Sequence, residues 1–127
     1  MLALAHPLNW YAGWGLLLAA FVSGAGIGLL FHAENFWGGY GSFRRRIVRL
    51  GHISLAALGM VNLLFALSVS RTGNAQQLAS ILLIIGAVTM AATCFLSGWK
   101  SSFRHLFFIP VLSLVVAVVL ILFGGVP

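Results

Sequence analysis

Residues 78–99 read LASILLIIGAVTMAATCFLSGW, twenty-two positions without one charged side chain. A hydrocarbon core of roughly 30 Å takes about 20 residues of helix to cross. Lipid offers the backbone no hydrogen-bond partner, so a single spanning segment must be a helix. The period-two polarity of membrane strands is missing. Outward from this run the pattern repeats at 10–33, 47–70 and 106–126. The connections at 34–46, 71–77 and 100–105 are short, which forces consecutive helices to run antiparallel. The predicted fold is therefore all-α. It is an integral membrane four-helix up-down-up-down bundle, with spans at about 10–33, 47–70, 78–99 and 106–126, in one transmembrane domain over 1–127.

Composition narrows the function classes. Of 127 residues, 61% are hydrophobic and 6% are charged, against about 25% charged in a soluble domain. Glu34 is the only carboxylate side chain. That excludes a paired-acid glycosidase, a carboxylate-caged metal pair and an EF-hand. The net charge is +6, but its cations are scattered through apolar segments and form no basic face for nucleic acid. Cys94 is the single cysteine, so no intrachain disulfide forms. Residues 1–9 hold no Lys or Arg, so the apolar run after them reads as a retained span and not as a signal peptide.

The cations are distributed unevenly. Arg44, Arg45, Arg46, Arg49, Lys100 and Arg104 flank the first and third connections, and Arg71 alone lies on the other side. The positive-inside bias places the first and third connections in the cytoplasm and both termini outside. A bacterial-type inner membrane is the expected location. Arg44, Arg45, Arg46 and Arg49 are candidate contacts for anionic lipid headgroups or for a partner's acidic loop, besides setting topology. Trp10, Tyr11 and Trp14 at one end, and Phe36, Trp37, Tyr40, Trp99 and Phe103 at the other, form interfacial belts.

Ala20, Gly24 and Gly28 recur every four residues in the first span. Such a ridge lets two helix backbones approach closely, within one chain or against another integral membrane subunit. Gly86, Thr89, Thr93 and Ser97 form a second stripe, in the third span. Asn62, in the second, needs a partner in hydrocarbon, and a Ser or Thr hydroxyl across the interface suits it. These polar groups are either interhelical adhesive or the lining of a path.

His32, His52 and His105 are predicted to share one rim. Facing imidazoles from two helices hold haem b, and three hold a transition metal; water- or headgroup-bonded histidines are the alternative. No c-type haem attachment motif is present, and no cofactor is expected in the first reading. Small multidrug exporters have similar length and span number, but they centre a Glu in the first helix, whereas Glu34 lies beyond it. Fluoride channels share four short spans and an Asn in the second, yet their third-helix motif is absent. A rhomboid-like protease needs more helices and a paired Ser and His, and Ser23 has no evident partner in the sequence. The expected function is a small non-catalytic polytopic subunit of a larger inner-membrane assembly, with a respiratory or other electron-transfer complex as its setting. The alternatives are a haem-b or metal protein and a small channel or carrier.

Overall fold

The computed structural model describes residues 4–124. Four long helices, α1 (Pro7–Leu30), α2 (Phe43–Ser68), α3 (Asn74–Trp99) and α4 (Phe108–Phe123), account for most of them. A 3-10 turn (Phe36–Gly38) precedes α2, and a 3-10 segment (Ser101–Phe107) leads into α4. With that segment, all four are long and apolar enough to cross a membrane. The chain is a helical integral membrane protein.

The helix bounds differ from the hydropathy bounds for local reasons. Pro7 opens α1, three residues ahead of the apolar run, because a first-turn proline lacks an N–H that would go unused there. Ser42 caps α2: its Oγ accepts from the Arg45 backbone N–H at 3.3 Å. The Arg44–Arg46 run is thereby the first turn of the helix, not the connection. At the other end of the chain, the predicted positions 125–126 lie outside the described residues.

Contacts between consecutive helices rise in number along one and fall along the next. A Cβ built on Gly13 or Gly24 of α1 would meet Gly59 or His52 of α2 respectively. Gly51 and Val48 of α2 abut Cys94 and Gly98 of α3, and Gly86 of α3 abuts Leu114 of α4. These pairings run in opposite senses along α1 and α2, and along α2 and α3. Gly13 and Gly59 bring the α1 and α2 backbones close together: a Cβ on Gly13 would sit 2.8 Å from the Gly59 carbonyl oxygen, a separation only glycine permits.

α3 is the central element. One apolar cluster joins Leu16, Ala20, Leu55, Ala87 and Ala91 from α1, α2 and α3. The other joins Phe65, Val69, Ala79, Leu83 and Ala117 from α2, α3 and α4. α4 rests chiefly on α3. Its Val111, Leu112, Val115, Val118, Val119 and Leu122 are exposed, as lipid-facing residues are.

Between α1 and α2 the chain reverses through Trp37, Gly38 and Gly39, with φ of 52°, 83° and 88°. The left-handed region is costly for a bulky side chain. Trp37 is held there by stacking on Phe36 (ring centroids 4.8 Å apart) and by an edge contact with Phe31 at 6.2 Å.

Candidate functional site

Two polar clusters occupy opposite ends of the α1–α2 pair, and a histidine lies between them. At the first end, Arg45 is 2% exposed. Its Nε donates to the Phe36 carbonyl at 2.6 Å, Nη1 to the Phe31 carbonyl at 3.1 Å, and Nη2 to the Ala33 carbonyl. The guanidinium also lies over the Phe31 ring, 5.0 Å from its centroid. Phe31 closes α1, so the cation sits at the negative end of that helix and serves its Phe31 carbonyl, while the Ala33 and Phe36 carbonyls also accept the Phe36 and Gly39 backbone N–H groups. Arg45 is thus spent inside the protein and does not reach a lipid phosphate. Arg49 donates to the Tyr40 carbonyl at 2.8 Å and covers the Tyr40 ring at 4.1 Å. Arg44 and Arg46 are exposed, as are Glu34, Lys100 and Arg104.

The three histidines predicted to share a rim have separate surroundings. His32 is exposed, and its Nδ1 lies 2.8 Å from its own helix's Leu29 carbonyl. His105 is exposed in the 3-10 segment before α4. His52 is half-buried, with Nδ1 3.1 Å from the Ser23 hydroxyl of α1. Among the described residues no three His, Cys, Asp or Glu side chains gather as a metal set.

Ser23 does have a partner, which the sequence left hidden. Its hydroxyl lies 3.1 Å from both the Ala20 carbonyl and His52 Nδ1; with its single proton on the carbonyl, Nδ1 carries the hydrogen between Ser23 and His52. In that arrangement Nε2 of His52 is the lone-pair nitrogen, the form that ligates a metal. Gly24 makes room for this ring: a Cβ there would lie 2.8 Å from His52 Cε1 and 3.4 Å from Nε2. Ala20 is buried in the core, whereas Gly28 faces open space with nothing within 4 Å of a built Cβ. The ridge therefore divides, its first two members packing inside the chain and its third not.

The second cluster is deeper. Asn9 and Asn62 are both 0% exposed. Asn9 Nδ2 donates to Asn62 Oδ1 at 2.8 Å and to the Ser80 carbonyl at 3.2 Å, and Ser80 Oγ donates to Asn9 Oδ1. Asn62 Nδ2 returns to the Leu58 carbonyl at 2.9 Å. The amide of Asn62 thus pairs with another amide, and the hydroxyl reaches it only through Asn9. One step outward, His6 (5% exposed) lies 2.8 Å from the Arg71 carbonyl through Nε2 and packs on Phe65 at 4.7 Å. Sequence reasoning missed Asn9, because a first span drawn from residue 10 leaves it outside. In the α3 stripe, Thr89 bonds its own helix at Ile85, while Thr93 and Ser97 are buried and Ser97 Oγ has no hydrogen-bond partner.

Set against models of protein families, curated proteins and solved structures, the chain matches none of them.

Proposed function

We propose that the chain is a non-catalytic subunit of a larger membrane assembly, docked through α1 on a helix of another chain. The observation that carries this is the unused glycine in α1. Gly15, Gly26 and Gly28 have no heavy atom within 4 Å of where a side chain would begin. Each glycine inside a helix costs about 0.5–1 kcal/mol relative to alanine. Gly13 and Gly24 recover that cost within the chain, by backbone and ring contact. The other three recover it only against further chain, Gly15 and Gly26 on one face of the helix and Gly28, two residues on, on the opposite one. On the same reading both termini face outward from a bacterial-type cytoplasmic membrane. Arg44, Arg46, Lys100 and Arg104 then meet anionic headgroups on the inside. Reporter fusions at either terminus test that orientation, and cytoplasmic reporter activity refutes it.

Gly28→Leu tests the docking cleanly, since nothing in the chain obstructs the new side chain. Wild-type protein extracted in mild detergent is expected to migrate with at least one further transmembrane chain. Gly28→Leu and Gly26→Leu are expected to release it while keeping their own thermal transition. Unchanged assembly in both variants refutes the reading. An electron-transfer complex is the setting we favour for the assembly, and the identity of the released chains tests it.

One observation favours a second reading, a haem-b or metal site. Ser23 orients His52 so that Nε2 presents a lone pair beside Gly24, with no hydrogen-bond partner among the described residues. A single imidazole of this kind needs its second ligand from another chain. A Soret band in the purified assembly that disappears in His52→Ala selects this reading.

A further inference from the structure

Between the first turns of α1 and α3 lies a cleft of about 290 Å³, lined by His6, Pro7, Leu8, Gln77, Ser80 and Ile81 among others. Its walls are of two kinds. Leu8 and Ile81 are 67% and 52% exposed, and they continue the apolar outer surface of the bundle. His6 and Ser80 are 5% and 6% exposed, and they bring polar atoms to the interior side.

The hydrogen bonds behind the cleft decide what those atoms have left to offer. His6 Nε2 faces the Arg71 carbonyl at 2.8 Å. A carbonyl only accepts, so Nε2 carries the proton and Nδ1 of the neutral ring is a bare acceptor. No described residue meets Nδ1. Ser80 gives its one hydroxyl proton to Asn9 Oδ1, so it too keeps only lone pairs. The cleft is thus lined by apolar side chains and by two residues more than nine-tenths buried, His6 and Ser80, whose remaining side-chain capacity is to accept. Acceptors in that setting call for a guest that brings a donor.

We infer that the cleft binds the head of a membrane-borne amphiphile bearing a phenolic hydroxyl, which donates to His6 Nδ1 while the tail stays in lipid. Size supports a single ring: small-molecule pockets run from about 300 to 1,000 Å³, and this one lies at the lower limit. A ring would lie against Pro7 and Ile81, which line the cleft. A phenol, with a pKa near 10, is a stronger donor to imidazole than an aliphatic alcohol. Gln77, at the rim, has an amide for a second ring substituent. This site lies at the opposite end of α1 from Gly26 and Gly28 and does not depend on docking there.

The test uses the full chain in detergent and three probes: a decyl-tailed hydroquinone, its dimethyl ether, and monodecanoylglycerol. Titration calorimetry is expected to show saturable binding of the hydroquinone. The ether keeps the ring and tail but has no donor, and the glyceride has only aliphatic hydroxyls. Both are expected to bind more weakly by about ten-fold or more, the worth of one good hydrogen bond. Ile81→Trp fills the mouth without touching either acceptor, and is expected to weaken the hydroquinone by a similar factor. His6→Phe should do the same, and Ile81→Trp decides the matter if His6→Phe fails to fold. Absent hydroquinone binding overturns the assignment. So does equal affinity for the ether, which marks mere partition into the micelle. Equal affinity for the glyceride, or wild-type affinity in Ile81→Trp, also overturns it.

Discussion

The two ends of the α1–α2 pair bury polar groups by opposite means. At one end a single cation, Arg45, collects the carbonyls of Phe31, Ala33 and Phe36 from an irregular connection. At the other, two neutral amides and a hydroxyl from three helices satisfy one another and nearby backbone. The cationic end ties a loop to a helix, and its acceptors are all main chain. The amide end ties α1, α2 and α3 together, and half of its bonds run between side chains. A charge must be fully compensated to stay buried, so the first end tolerates no partial version. The second can lose one member and keep others.

That contrast predicts an order of damage. Arg45→Ala should be the most harmful single change at either end. It strands the Phe31 carbonyl, leaves those of Ala33 and Phe36 with one backbone N–H each, and removes charge-assisted bonds, for a loss of about 3 kcal/mol in reversible unfolding in mixed micelles. Arg45→Lys should recover little of it, because an ammonium cannot reproduce the planar fork. A loss under about 1 kcal/mol would mean that the connection closes without the cation.

The amide end should yield less. Asn62→Leu leaves Asn9 Nδ2 with the Ser80 carbonyl alone, for an expected cost of about 1–2 kcal/mol. Asn9→Leu/Asn62→Leu together should cost less than the sum of the two single changes, the signature of one shared network. Strict additivity would show the two amides to be independent, and the contrast between the ends would collapse. Smallest of all, Arg44→Gln and Arg46→Gln should each shift stability by no more than about 0.5 kcal/mol. They share the tripeptide with Arg45 but are exposed, and a larger shift would extend the cationic cluster beyond one residue.

Sequence reasoning located the elements well, because continuous hydropathy over more than twenty residues reports spanning helices directly. Its errors arose where hydropathy is silent. Ser42 and Pro7 start helices by local hydrogen-bond logic, and the apolar average cannot see that. Moving the start of α1 from residue 10 to Pro7 is what brings Asn9 into the core. The Arg44–Arg46 run looked uniform, yet only the register of α2 turns Arg45 inward. Asn62 was recognised as needing a partner, but an amide partner from another helix leaves no trace in spacing. The Ser23–His52 contact joins residues twenty-nine apart through helix crossing, and a lone sequence carries no such information.

The amide cluster also has a consequence in time. A chain inserted from its N-terminal side brings α1 and α2 into the membrane before α3. Asn9 can give a proton to Asn62 at once, but its own oxygen must wait for the hydroxyl of Ser80 on α3. Until then the helical pair carries an unanswered acceptor in hydrocarbon, and α1 is held in place only loosely. Arrival of α3 answers it and sets the pair's alignment. α4 takes no part in that exchange; its polar tie runs from Gln76 to the Gly124 carbonyl. The final helix therefore joins a three-helix core in which the Asn9, Asn62 and Ser80 side chains are already bonded to one another, and synthesis halted after Trp99 would leave that core able to form.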